Sequence, residues 1–242
     1  MIAVTVLLAL GGCGGSDPKP PVVVSAASSM TEALTACGQD YPDAKVKLSF
    51  AGSDELAAQI QHGVKPDVYA AANTKLPDQL HEEGRLSTPV EFATNTFVLA
   101  VPKDSKIDSV DDLTAKGLKI AIGSETVPIG SYTRDTLAKL PAAEEKAILA
   151  NVRSEEPDVK GIVGKLTQGA ADAGFVYVTD VNATNGELNA IELPKSVEPQ
   201  VTYAAGVVTG AKQQDAGKQF VDGLVSGGCA DALQKAGFGP AP

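Results

Sequence analysis

The chain has 242 residues, 43% of them hydrophobic and 5% aromatic, with no Trp. That is enough for one large domain or two lobes of about 100 residues each, with a core of Val, Ile, Leu and Ala that suits sheets covered by helices. The formal net charge is −10 without a basic stripe, which excludes nucleic acid and anionic lipid surfaces as partners but leaves a small anionic ligand open, because exposed charges are screened over about 8 Å and donors lining a cleft dominate locally.

Met1–Leu10 is apolar but too short to cross a bilayer. It runs into Leu10-Gly11-Gly12-Cys13, which resembles the lipobox of bacterial lipoproteins. Residues 1–12 then form a signal peptide, Cys13 is the lipidated residue, and 13–21, with its Gly, Ser and prolines, is a tether. No Lys or Arg precedes the apolar run, as a basic n-region requires; an earlier start would supply one. The ordinary alternative is a buried strand with a chance Cys. Export puts the protein outside the cytoplasm, where Cys37 and Cys229 are an even pair. They are open to two readings, a disulfide closing a very long loop or two separate buried thiols, and geometry decides between them.

Beyond the tether, strand-like and helix-like runs alternate. Val22–Ser25 is β-branched, and Thr31–Cys37 has helical period. Val46–Phe50 alternates as a strand, Glu55–His62 is helical, Val68–Ala71 is strand-like, and Thr74–Glu83 is a helix closed by Gly84. This βαβαβ opening predicts a parallel sheet with helices on both faces. Phe97–Val101, stopped by Pro102, and Leu118–Ile122 are strands, followed by helices near Ser131–Leu140, Ala143–Ala150 and Val159–Gln168. Phe175–Val178, Ala190–Leu193 and Tyr203–Val208 are strands, and Gln213–Val225 is a closing amphipathic helix. The spacing predicts two α/β lobes joined by two crossings, near Thr94–Thr96 and Val201–Ala204, so that 22–94 and 204–242 make lobe 1 and 95–203 make lobe 2. A single Rossmann-like sheet is the competing architecture, and it leaves the last forty residues without a role.

Four places share one local design, in which a strand ends, small or hydroxylic residues follow and a helix begins: Ser28-Ser29, Gly52-Ser53, Pro128-Ile129-Gly130 and Asp158. Helix N-termini present unpaired N–H groups and partial positive charge, a natural seat for a small anion. Taken singly these are ordinary N-caps, and Asp158 reads best as one, since a carboxylate facing an anion repels it. No Gly-x-Ser-x-Gly elbow, P-loop, Cys-x-x-Cys or His-Glu-x-x-His occurs, and His62 and His81 sit in polar helical segments. The chain therefore reads as a binding protein and not an enzyme, with no cofactor and no directly coordinated metal.

Several segments together narrow the ligand. Val-Val-Val-Ser-Ala-Ala-Ser-Ser-Met-Thr-Glu-Ala-Leu (22–34), Ser-Phe-Ala-Gly-Ser-Asp-Glu-Leu-Ala-Ala-Gln-Ile (49–60) and Pro-Asp-Val-Tyr-Ala-Ala-Ala-Asn (66–73) come first. Val-Pro-Ile-Gly-Ser-Tyr (127–132), Asp-Val-Lys-Gly (158–161) and Gly-Phe-Val-Tyr-Val-Thr-Asp (174–180) follow in order and spacing. Residues 22–240 as a whole resemble the molybdate-binding proteins of bacterial ABC transporters. The resemblance implies a two-lobed periplasmic-binding-protein fold, each lobe a mostly parallel sheet flanked by helices. It implies a molybdate or tungstate oxyanion held by hydroxyls and backbone amides alone: Ser29, with Ser28 as the alternative register, Ser53, the amides of Ile129 and Val159, and the Tyr177 hydroxyl. Ile129 stands where the family often has Ala or Val, which matters little if only the amide is used. A monomer that hands its anion to an ABC permease is implied as well, with membrane contact through the lipid anchor only. Sulfate or a small organic acid is the competing ligand class; a carboxylate calls for an Arg clamp, for which Arg134 and Arg153 are the candidates.

Overall fold

The protein is described by a computed structural model covering residues 21–242. The expected signal peptide, Cys13 and the tether up to residue 20 lie outside the described residues. The chain opens with β1 (Pro21–Ala27), whose Val22, Val24 and Ala26 are wholly buried. A single 3-10 turn, Ser28–Met30, leads into α1 (Thr31–Gln39), which turns Ala33, Leu34 and Cys37 inward. Next come β2 (Lys45–Ala51), α2 (Ser53–Gln61), β3 (Val68–Ala71) and α3 (Lys75–Glu82). Gly84 follows α3 at φ +71°, the left-handed conformation in which the stop signal was expected. The chain then forms β4 (Val90–Asn95).

After Thr96 it enters a second lobe: β5 (Phe97–Pro102), β6 (Ile120–Gly123), α4 (Pro128–Leu137), α5 (Ala142–Leu149), β7 (Val152–Glu156), α6 (Val159–Thr167), β8 (Ala173–Tyr177), α7 (Val178–Asn182) and β9 (Leu188–Glu192). It returns through β10 (Val201–Val207) and ends in α8 (Gln214–Val225) and α9 (Gly228–Ala236).

The strands form two five-stranded sheets, β2-β1-β3-β10-β4 and β7-β6-β8-β5-β9. In each, three strands joined through helices run parallel, as the βαβαβ pattern predicts. The strands next to the crossings, β10 with β4 and β5 with β9, pair antiparallel. Each sheet is therefore mostly parallel, as expected, with a single reversed strand, β10 or β5, which enters from the opposite lobe and runs back along the sheet. The two sheets exclude the single Rossmann-like architecture, and the last forty residues complete the first lobe.

The crossing strands lie side by side: Val201 of β10 pairs with Asn95 at the end of β4. The outward crossing is Thr96, and the return runs through 193–200, just ahead of the expected Val201–Ala204. An aromatic file spans this junction. Phe97 stacks on Phe175 with centroids 5.6 Å apart and meets Tyr177 edge-on at 6.5 Å; Tyr177 in turn meets Tyr203 edge-on at 5.9 Å. In the first lobe, a disulfide joins Cys37 of α1 to Cys229 of α9 with Cα atoms 4.8 Å apart.

Four elements escape the sequence pattern. β4 follows Pro89 and is split from β5 by one residue, and only the β5 stretch, Phe97–Val101, reads as a strand. β7, Val-Arg-Ser-Glu-Glu, is a polar edge strand with no apolar signal. α9 is short and rich in small residues, and is held through Cys229 and Leu233. The helix α7 also begins at Val178, which the pattern places in a strand. Among the described residues, no helix is long and apolar enough to cross a membrane.

Candidate functional site

The four strand-to-helix junctions meet between the lobes around one small cavity, with about 200 Å³ of atom-free space counting its mouth. Ser28, Ser29, Ser53, Ile129, Val159 and Tyr177 all line it. The first three come from the first lobe and the last three from the second. Among the described residues, no Lys, Arg or His lines it, and its one charged residue is Asp158.

Each junction delivers a donor. Ser28 and Ser29 occupy the 3-10 turn, held by the Thr31 hydroxyl donating to the Ser28 carbonyl at 2.6 Å. Ser53 opens α2, and its Oγ accepts from the Ala72 N–H at 3.1 Å, which leaves the hydroxyl hydrogen free for the cavity. Its carbonyl accepts from the Tyr69 hydroxyl at 2.7 Å. Pro128 is the first residue of α4 and has no N–H, so Ile129 presents the first amide of that helix. Val159 is the first residue of α6, capped by Asp158, whose Oδ1 accepts from the Gly161 N–H at 3.0 Å. Asp158 thus acts as the N-cap its position suggested, although it also reaches the cavity wall.

The Tyr177 side chain is 1% exposed and its hydroxyl has no partner among the described residues. A buried hydroxyl without a partner costs about 1–3 kcal/mol, so its place in the cavity wall points to a ligand. Burial raises the Tyr177 hydroxyl well above its ordinary pKa, with the nearby Tyr203, Tyr132 and Asp180 adding to it, so it keeps its proton.

The lobes also touch around the cavity. Lys160 of α6 lies 2.9 Å from Glu32 of α1 and 3.3 Å from the buried Asp180 of α7. Burial pushes the Asp180 carboxyl up to about 7 against the opposing pull of Lys160. Burial lowers the Lys160 ammonium but Asp180 and Glu32 raise it more, so it is committed to these carboxylates and not to the cavity. On another side, the Thr126 hydroxyl donates to Asp54. Between the two, Gly52 packs so closely that a Cβ there would stand 2.5 Å from the Pro157 carbonyl oxygen.

The other sequence candidates fall elsewhere. Arg134 is bound to the Gly123 carbonyl and Glu155, and Arg153 to the carbonyls of Ala150 and Val152. Neither reaches the cavity, so no Arg clamp for an organic acid exists there. His62 and His81 each bind a backbone carbonyl, at 2.7 Å and 3.0 Å, on exposed helical positions. Among the described residues, no cluster of His, Cys, Asp and Glu could hold a metal ion. Sequence reasoning missed Tyr203, Asn95, Lys160 and Asp180. Tyr203 and Asn95 carried no signal beyond a β-rich run and a crossing position. Lys160 and Asp180 lay inside the quoted segments but gave no sign of facing each other.

Comparison with known proteins agrees with this geometry. The family model described as bacterial extracellular solute-binding protein matches residues 22–239. The molybdate-binding protein ModA of Mycobacterium tuberculosis is 31% identical over 255 aligned positions, covering 98% of this chain and 95% of that protein. ModA of Escherichia coli is 29% identical, covering 90% and 88%. The periplasmic molybdate-binding protein of Azotobacter vinelandii superposes with a TM-score of 0.80 at 18% identity, covering 90% of this chain and 98% of that one. The sulfate-binding protein SubI of M. tuberculosis also reaches 0.80, at 14% identity, covering 91% and 87%; these two likenesses speak for the fold. Sequence match, two-lobed fold and a donor-lined cavity between the lobes together place the chain in the bacterial extracellular solute-binding protein family, among its ModA-type members.

Proposed function

We propose that this protein captures molybdate, and tungstate as well, between its lobes outside the cytoplasm and hands it as a monomer to an ABC permease, while a lipid on Cys13 tethers it to the membrane. The observation that carries the reading is the convergence of Ser29, Ser53, the amides of Ile129 and Val159, and the Tyr177 hydroxyl on one cavity where, among the described residues, that hydroxyl has no partner and no cation lines the wall. Ser28 stands beside Ser29 in the same wall and supplies a further donor.

The capture mechanism follows from the donor set. Helix N-termini and hydroxyls offer hydrogens without counter-charge, so a fully ionised tetrahedral anion is the species they satisfy. Ser29 and Ser53 come from one lobe, and Ile129, Val159 and Tyr177 from the other, so the anion bridges both. Each hydrogen bond to a charged group is worth about 1.5–3 kcal/mol, and a few exceed the roughly 5.5 kcal/mol that swings a two-state equilibrium from 1:99 to 99:1. Thr96 and residues 193–200 serve as the hinge. Molybdate and tungstate have nearly equal radii and longer bonds to oxygen than sulfate, so size separates sulfate from both.

Thermal denaturation of the protein starting at residue 14, with molybdate, tungstate, sulfate and phosphate, tests this. A ligand at one hundred times its Kd adds about 2.7 kcal/mol, which for a chain of this size raises Tm by roughly 5–10 °C. Molybdate and tungstate give that shift; its absence with millimolar molybdate refutes the proposal.

A further inference from the structure

Neither Asn95 nor Tyr203 lines the cavity, yet their hydrogen bonds run toward it in one direction. The Thr96 N–H donates to Asn95 Oδ1 at 2.9 Å. A backbone N–H can only donate, so this bond identifies the other terminal atom as the amide nitrogen, which can only donate in turn. Asn95 Nδ2 donates to Thr179 Oγ1 at 2.9 Å and, more weakly, to Tyr203 Oη at 3.4 Å. Tyr203 Oη therefore accepts from Asn95, and its hydrogen goes to Ser29 Oγ, 3.0 Å away. Ser29 accepts inside the protein and keeps its own hydrogen for the cavity. All of Tyr203 is buried, and burial holds its hydroxyl well above the ordinary pKa, so the proton stays in place.

We infer that Asn95 and Tyr203 are positioning residues that lock the Ser29 hydroxyl as a donor toward the anion, a polarity that the contest between a protonated and an unprotonated oxyanion reads out. The inference rests on the oxyanion reading above. Hydrogen phosphate brings an O–H that needs an acceptor, whereas sulfate has the same charge and none. Ser29 and Ser53 have each given a lone pair, to the Tyr203 hydroxyl and to the Ala72 N–H. Of the four hydroxyls in the cavity wall, Ser29 and Ser53 are fixed in this way, and Tyr177 and Ser28 are the two left free among the described residues to act in either sense. The relay also crosses the hinge. Asn95 ends the outgoing strand, Tyr203 lies in the returning one, and Thr179 belongs to the helix that follows Tyr177.

The test is competition against labelled molybdate by sulfate and by hydrogen phosphate, at one pH where phosphate is mainly the dianion, for the full chain. Tyr203→Phe removes the hydrogen that Ser29 accepts and frees its lone pair for the ligand. Asn95→Asp keeps size and shape but turns the donor into an acceptor. Tyr203 then donates to the new carboxylate, Ser29 donates to Tyr203, and the Ser29 lone pairs face the anion. The added charge weakens both dianions alike and cancels in their ratio. In each variant the preference for sulfate over hydrogen phosphate falls about tenfold, a change that general loosening of the site would not produce. If Tyr203→Phe loses its cooperative melting transition, Asn95→Asp alone decides. An unchanged ratio in a folded variant, with molybdate still bound by the wild type, overturns the relay and leaves the ligand reading intact. A wild type that binds none of these anions overturns both.

Discussion

Gly52→Ala separates closure of the lobes from the integrity of the fold. The backbone at Gly52 has φ −59° and ψ 138°, a conformation that Ala adopts freely. In the ligand-free, opened protein the substitution is therefore harmless, or stabilising by about 0.4–1 kcal/mol through the unfolded chain. With the lobes together, the new Cβ meets the Pro157 carbonyl oxygen at 2.5 Å, Asp54 Oδ1 at 2.8 Å and Val127 Cγ2 at 3.3 Å. Pro157 and Val127 belong to the opposite lobe, and ordinary contact begins only at 3.4 Å. The lobes must stay about 1 Å further apart, and hydrogen bonds of about 2.9 Å stretched by that much are no longer hydrogen bonds. Losing the equivalent of one or two such bonds to a charged ligand removes about 3 kcal/mol, a roughly hundredfold weaker Kd. Isothermal titration with molybdate, alongside urea unfolding of the ligand-free protein, reads both quantities. Wild-type affinity in Gly52→Ala would show that the lobes do not meet here when the anion is bound. Weaker binding accompanied by a large loss of ligand-free stability would show damage to the fold instead of blocked closure.

Tyr177→Phe deletes a hydroxyl that has no partner among the described residues with the lobes together; water serves it in the opened, ligand-free protein, whose stability should change by less than about 1 kcal/mol while molybdate binding weakens at least tenfold. Urea unfolding and titration on the same preparation check this, and a larger loss of ligand-free stability contradicts it. Asp180, whose carboxyl burial pushes up to about 7, binds its proton more tightly folded than unfolded. Its contribution is thus most favourable below the unfolded carboxylate range near 4 and is lost as pH rises through about 7, at up to about 1.4 kcal/mol per pH unit. Asp180→Asn should therefore be more stable relative to wild type at pH 8 than at pH 5; a pH-independent difference argues against a raised Asp180. Reducing the Cys37–Cys229 bond, which closes a separation of 192 residues, should remove about 2–5 kcal/mol and lower Tm by roughly 5–15 °C. Calorimetry with and without reductant measures it.

The residues that line the cavity were legible because the family motifs fix their register, and bland positions such as Ile129 and Val159 gain meaning only together with the others. What stayed hidden depends on long-range proximity. Gly52 looked like the start of an N-cap, since the Pro157 carbonyl that forbids a side chain there lies about a hundred residues on. Tyr203 sat in a run of β-formers with nothing to show that its hydroxyl reaches Ser29. Strand β4 was lost because only Thr96 separates it from β5, and β7 because an edge strand of Arg, Ser and Glu has no apolar period to read.

The order of strands in the two sheets carries a consequence for how the chain acquires its shape as it emerges during synthesis or export. Every strand of the second sheet lies within residues 97–192, one uninterrupted stretch that completes itself without help from either end. The first sheet cannot: β3 and β4 are not neighbours, and both wait for β10, which begins at Val201. The earlier-made half is therefore the later to be finished, held with open edges until the inserted lobe has formed and the last forty residues return. Cys229 follows every strand of both sheets, so its bond to Cys37 cannot form until the whole of both sheets has emerged.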